Sequence, residues 1–217
     1  MISRQIVAAL GLMLALGTAP AVASDYAPLP QPMAGQEVAI FAGGCFWCIE
    51  SDFDKVPGVV ATTSGYTGGR TERPSYREIG TKKTGHFEAL HVVYDPETVS
   101  YDQLLTAFWH SIDPTDPSGQ FCDKGEPYRT AIFALNAEQQ QKAEASKQAI
   151  IASGALKDPV VTPVLNAATF YPAETYHQDY YRKKPIRYVY YRNGCGRDRT
   201  VKKVWGDRAY KGIPKGH

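Results

Sequence analysis

The stretch VAIFAGGCFWCIESDFDKVPGV, residues 38–59, sets the reading of the whole chain. Residues 37–42 (EVAIFA) have the apolar, β-branched composition of a strand and run into Gly43-Gly44. Beyond them Phe46, Ile49, Phe53 and Val56 recur at helical spacing until Pro57-Gly58 stops the pattern. Cys45 is therefore expected at a strand-to-helix junction, at or just before the helix N-terminus.

The downstream segments extend this unit. Residues 59–66 (VVATTSGY) read as a second strand, followed by the glycine-rich loop TGGRTERPSY. HFEALHVVYDPETVS is a third strand ending at Asp95-Pro96. Ser100 and Gln103 then form a capping box for a helix with Leu104, Leu105, Phe108, Trp109 and Ile112 on one face. A long polar loop, DPTDPSGQFCDKGEPY, leads to a fourth strand, RTAIFAL, and Asn136 caps a helix running to about Gly154. VVTPVLNAATFY reads as extended, and AETYHQDYYRKK as a helical turn or short helix. The succession β-α-β, β-α-β predicts an α+β fold, a two-layer α/β sandwich of ferredoxin-like type with an irregular C-terminal coil.

The N-terminus reads as a leader: Arg4, an apolar run over 6–16, and the small residues Ala21-Val22-Ala23 before Ser24. The run is shorter than the ~20 residues of a membrane span. Residues 1–23 are expected to be a signal peptide, 24–36 a proline-rich tether, and 37–217 a single domain whose flexible C-terminal segment bears Cys195. The protein is expected to be exported, periplasmic or secreted, a monomer without stable membrane insertion once the leader is removed. Its 24 basic and 22 acidic residues, net charge +2, offer nothing to attract nucleic acid.

The four cysteines, Cys45, Cys48, Cys122 and Cys195, all follow the leader. An even count in an exported chain suggests two structural disulfides, yet a domain of this size needs no staples. A thiol at a helix N-terminus meets unpaired N–H donors and a partial positive charge, which favour the thiolate. Cys45 is thus the candidate nucleophile, with Phe46 and Trp47 as an apolar wall beside it. Glu88 shares a strand face with Leu90, Val92 and Tyr94, so burial should raise its pKa and equip it as a general acid. Asp123, Tyr76 and Tyr128 lie beside glycines or prolines; each tyrosine, taken alone, reads as packing, and so does His177. No histidine has metal-ligand spacing, and one Cys-x-x-Cys without a second pair is a weak zinc signal. No metal is expected.

The blocks GGCFWCIE, PGVVATTSGYTGG, PSYREI, TGHFEALHVVYDP, FCDKGEPYRTAIF and AETYHQDY, in this order, resemble peptide methionine sulfoxide reductase of the A type, from about residue 38 to 184. The resemblance implies thiol-dependent reduction of methionine S-sulfoxide, peptide-bound and in some cases free, repairing oxidised exported proteins. By position it implies Cys45 as nucleophile through a sulfenic acid, Glu88 as proton donor to the sulfoxide oxygen, and Tyr76, Asp123 and Tyr128 as polar holders of that oxygen and the substrate. Phe46 and Trp47 would form the pocket for the methionine methyl group. No cofactor is expected to be bound; a thioredoxin-like dithiol would supply the electrons.

Three positions depart from the common family pattern: Cys48, often glycine; Cys122, often another small or polar residue; and a lone Cys195 after the last block. Cys195 is the favoured resolving thiol because its glycine-flanked setting could swing onto Cys45. Cys122 is second, as a relay or as partner to Cys195, and Cys48 last, because an i,i+3 bridge within a helix is strained. The competing reading is an exported thiol–disulfide exchange protein working through Cys45-Cys48. A third is a non-catalytic domain held by Cys45–Cys48 and Cys122–Cys195.

Overall fold

A computed structural model describes residues 25–214, so the expected signal peptide lies outside the described residues. The elements are β1 (Glu37–Gly43), α1 (Phe46–Phe53), β2 (Val59–Thr67), α2 (Tyr76–Gly80), β3 (Phe87–Tyr94), α3 (Tyr101–Trp109), β4 (Gly119–Gln120), β5 (Asp123–Lys124), β6 (Thr130–Ala134), α4 (Ala137–Ala152), β7 (Val164–Asn166), β8 (Tyr171–Pro172), α5 (Tyr180–Lys183), α6 (Pro185–Cys195) and α7 (Arg197–Trp205). No helix among them is long and apolar enough to cross a membrane.

The main sheet has the order β7-β6-β1-β3-β2-β8. Strand β3 lies between β1 and β2 and is antiparallel to both, with Phe41 opposite Leu90 and Tyr66 opposite Glu88. Strand β6 is antiparallel to β1, and β7 adds in parallel at its outer edge. The four central strands with α1 and α3 follow the β-α-β-β-α-β succession, bringing the N-terminal end of α1 beside the start of β3.

Alternation divides the buried residues between the two sheet faces. Ala39, Phe41, Leu90, Val92, Tyr94 and Ile132 pack under Ile49 and Phe53 of α1, Leu104, Leu105 and Phe108 of α3, and Ala143 of α4. On the other face Ile40, Ala42, Phe87, Ala89, Ala131 and Phe133 are covered by Leu165, Ala167 and Phe170 from the strand-poor segment around β7. Strand β3 is consequently buried on both sides along its whole length.

The caps form as the sequence spelled them. Ser100 accepts from the Gln103 N–H while Gln103 accepts from the Ser100 N–H at 2.8 Å, and Asn136 accepts from the Gln139 N–H at 2.9 Å. A second capping box, Ser75 with Glu78, starts α2 inside the stretch read as loop.

Two expectations are corrected. The start of the tether is attached to the domain: Tyr26 pairs with Glu174 through a β-bridge, its hydroxyl donates to the Arg73 carbonyl at 2.9 Å, and Ala27 is buried. The C-terminal segment is helical instead of irregular coil. Pro185 occupies the first turn of α6, and Gly196 (φ 73°) closes that helix in a left-handed conformation. The two helices hold Arg192 and Arg197 against Asp52 of α1, at 2.9 and 3.7 Å, so the buried acid gains its cations only if the segment folds. Met33, 68 % exposed, is the one methionine among the described residues.

Candidate active site

Strand β1 delivers the chain to Gly44, whose φ of +81° is left-handed; a Cβ there would stand 2.6 Å from Gln120 Cβ. The turn sets Cys45 as the N-cap of α1 with φ −48° and ψ 118°, outside the helix proper. The first helical donor, the Phe46 N–H, points to Glu88 Oε2 at 3.0 Å.

Glu88 is 1 % exposed, and its other oxygen, Oε1, has no hydrogen-bond partner. Burial pushes its carboxyl up to about 8, against the lowering effect of the Phe46 N–H, with the Asp123 charge raising it further. At neutral pH the group holds a proton, in an orientation fixed by one backbone donor. The face shared with Leu90, Val92 and Tyr94 produces the environment that the alternation implied.

The thiols differ from expectation. Burial pushes the Cys45 thiol up, and the neighbouring Cys48 thiol and the carboxyls of Glu88 and Asp123 add to the effect. Cys48 moves down, through the adjoining Cys45 thiol and, against the effect of burial, the guanidinium groups of Arg197 and Arg192. Burial decides the direction for Cys45, whereas the two cations act on Cys48; the first helical donor, the Phe46 N–H, goes to Glu88.

The remaining expected residues gather around this pair. Phe46 packs with Tyr66, Ile79 and Ala173, and Trp47 and Tyr76 lie against that cluster. Tyr76 and Tyr128 lie close to each other, and burial together with the charges of Glu88 and Cys45 pushes both phenols up. Asp123 accepts from the Tyr191 hydroxyl; burial raises its carboxyl while that donor holds it down. Trp47 is stacked on Tyr180 at 3.8 Å between ring centroids and meets the edge of Tyr191 at 5.7 Å. Phe46, Trp47, Tyr76 and Tyr128 thus gather with the Cys45 thiol and the protonated Glu88 carboxyl in one aromatic region.

Cys122 and Cys195 form a disulfide, while Cys45 and Cys48 are free and buried. Cys195, expected on a mobile tail, ends α6 and ties that helix to the loop bearing Asp123. Among the described residues Cys122, Asp123 and Cys195 also form the one group with donor atoms within 4.8 Å of each other, but two of the three sulfur and oxygen donors are already bonded as the disulfide.

Sequence reasoning missed Tyr191, the Arg192–Asp52–Arg197 network and the hydrogen bond that the Trp47 indole N–H donates to His177 Nδ1 at 3.0 Å. The aromatic density of AETYHQDYYRKK was the available signal for the last. Arg197, 1 % exposed, donates to the Gly43 carbonyl at 3.1 Å and the Ser111 carbonyl at 3.0 Å, bracing the turn that presents Cys45.

Residues 37–209 match the family model of peptide methionine sulfoxide reductase, and the chain belongs to that family. It is 56 % identical over 185 residues to peptide methionine sulfoxide reductase MsrA 2 of Rhizobium meliloti, covering 85 % of this chain and 91 % of the relative. To MsrA of Bacillus subtilis it is 50 % identical, covering 79 % and 97 %. Among solved structures, methionine sulfoxide reductase A of Corynebacterium diphtheriae superposes with a TM-score of 0.64 at 33 % identity, covering 76 % of this chain and 89 % of that one. The reduced form of Mxr1 from Saccharomyces cerevisiae does so with 0.65 at 28 % identity, covering 70 % and 87 %. The protein is a peptide-methionine (S)-S-oxide reductase of the A type, reducing methionine sulfoxide at the expense of thiols.

Proposed function

We propose that Cys45 attacks the sulfoxide sulfur while Glu88 protonates its oxygen, and that the observation carrying this assignment is the buried, singly hydrogen-bonded Glu88 carboxyl beside the N-cap thiol. A sulfoxide oxygen leaves poorly until protonated, so a neutral carboxyl aimed at it lowers the barrier. Tyr76 and Tyr128 supply hydroxyls to hold that oxygen, Asp123 fixes the substrate's polar end, and Phe46 and Trp47 receive the methyl group. In balance, the Cys45 thiol and the sulfoxide give a Cys45 sulfenic acid and the thioether; the thiol proton replaces the one Glu88 lends.

Cys48 is then the first resolving thiol in this reading. Its support is that Cys48 is the one other free cysteine, buried beside Cys45, and that Cys45 stands at the N-cap, outside the helix proper, which eases the strain expected of an i,i+3 bridge. Cys195, favoured from sequence, must first be released from Cys122. The sulfenic acid and the Cys48 thiol give a disulfide and water, and a thioredoxin-like dithiol reduces that disulfide. No bound metal or organic cofactor enters these steps. The N-terminal sequence over residues 1–23 supports export and repair of oxidised periplasmic or secreted proteins; N-terminal sequencing of the fractionated protein tests it, and an intact Met1 would refute it.

The chemistry is tested with separated S and R epimers of a methionine sulfoxide peptide and dithiothreitol. Wild type should turn over the S epimer alone and Cys45→Ser neither. Cys48→Ser should accumulate a dimedone-reactive sulfenic acid after one turnover; prompt disulfide formation in that variant would return the resolving role to Cys195.

A further inference from the structure

We propose that helix α6 is a peripheral docking surface for anionic lipid bilayers: Ile186, Val189 and Tyr190 enter the headgroup layer, and the cations around them meet lipid phosphates. The proposal is independent of the catalytic assignments.

Scattered apolar side chains are ordinary on a protein surface, but a contiguous set marks a contact. Ile186 is 85 % exposed, Val189 53 % and Tyr190 83 %. Their i, i+3, i+4 spacing puts them on one stripe of α6, and with Pro185, Asn193 and Gly194 they line an open hollow of about 770 Å³. The opposite stripe fastens the helix to the domain. There Tyr188 is buried with Cys45 and Cys48, and Tyr191 donates to Asp123. Nothing among the described residues covers the outward stripe.

Charge identifies the partner. Residues 25–181 hold 20 acidic against 11 basic residues, whereas residues 182–214 hold 11 basic against two acidic. Arg182, Arg192 and Arg197 have carboxylate partners in Asp54, Asp198 and Asp52. Lys184 and Arg187, exposed at the start of α6, have no ion-pair partner among the described residues, nor do Arg199, Lys202 and Lys203, exposed on α7. The molecule is therefore polarised, and a negatively charged plane attracts it with the C-terminal helices foremost.

The apolar stripe decides between anionic partners. A polyanion such as a nucleic acid uses the cations alone and leaves Ile186 and Val189 in water. An anionic bilayer uses both: aliphatic side chains enter the acyl boundary, a tyrosine sits at headgroup level, and Lys and Arg reach the phosphates. The contact is adsorption, since α6 has 11 residues and no helix among the described residues is long and apolar enough to cross a membrane.

The test is co-sedimentation of the protein, as recovered from the cell, with vesicles of phosphatidylcholine alone or mixed equally with phosphatidylglycerol. Wild type should bind the anionic vesicles about tenfold more strongly than the neutral ones, and raised salt should release it. Ile186→Ser/Val189→Ser and Lys184→Gln/Arg187→Gln should each weaken that binding about tenfold, while turnover of a soluble S-sulfoxide peptide stays at the wild-type rate. All four positions are exposed, so neither pair disturbs the core, and matching denaturation midpoints check this. Wild type that ignores anionic vesicles overturns the proposal and leaves the basic end to an acidic protein. Binding that survives the apolar pair overturns it too, as adsorption to any polyanion. Binding that survives the charge pair, or is equally strong on neutral vesicles, does so as well, because the cations then play no part.

Discussion

Glu88→Gln separates two consequences of burying an acid at the start of β3. The amide keeps the shape and can still accept from the Phe46 N–H, but it neither ionises nor donates an acidic proton. In the wild type the carboxyl moves from 4.5 to about 8 on folding. Above pH 4.5 the unfolded chain gives up this proton while the folded one keeps it, so stability is full below 4.5, falls as pH rises toward 8, and levels off beyond. From those two values the deficit is about 1 kcal/mol at pH 5 and about 5 kcal/mol at pH 9. Glu88→Gln lacks it, so urea denaturation should show the variant gaining about 4 kcal/mol on the wild type between pH 5 and 9. In activity it should lose about 10²- to 10⁴-fold in kcat/KM, the usual worth of a placed general acid. The wild-type decline in kcat/KM above pH 8 should vanish with it. Stability curves that run parallel across this range, or a basic limb retained by the variant, would refute the assignment of Glu88 as a buried proton donor.

Further outcomes follow from the C-terminal helices. Replacing Cys122 and Cys195 together by serine should cost about 4 kcal/mol, because the bridge closes a loop with a sequence separation of 73; denaturation with and without dithiothreitol gives the same difference for the wild type and none for the variant. Arg197→Met should cost about 3–5 kcal/mol, since it leaves Asp52 with one cation and strips the Gly43 and Ser111 carbonyls of their donor. The same variant should raise the pH at which Cys48 reacts with iodoacetamide, read by mass spectrometry in a Cys45→Ser background.

What the sequence revealed and what it hid divide along the range of the interactions. Strand β1, α1, the capping boxes and the Glu88 face are written in residues within about four positions of one another, where local propensity and packing agree. Helices α6 and α7 are not, because their stability depends on Arg192 and Arg197 meeting Asp52 across more than half of the chain, and PIRYVYYRNGC has no apolar stripe to announce a helix. The Cys45 thiol departs from expectation for a related reason: the helix start was visible, but the burial that raises the thiol and the Glu88 carboxyl that adds to it come from distant segments, Glu88 from β3, 42 residues from the Phe46 N–H it takes. The hydrogen bond between Trp47 and His177 spans 130 residues and leaves no local trace. Only α2 was overlooked with its signal in plain view, in Ser75 and Glu78.

The placement of Met33 has a meaning for an enzyme whose substrate is made by oxidants. The chain has three methionines, Met1, Met13 and Met33, and all precede β1. From Glu37 onward the buried apolar positions are filled by Ala, Leu, Ile, Val and aromatic side chains together with Cys45 and Cys48, and none carries a thioether. Peroxide can therefore turn a methionine of this protein into a sulfoxide without loosening the packing around Cys45. Met33 itself, exposed ahead of the first strand, presents any such lesion to solvent, where another copy of the enzyme has access to it.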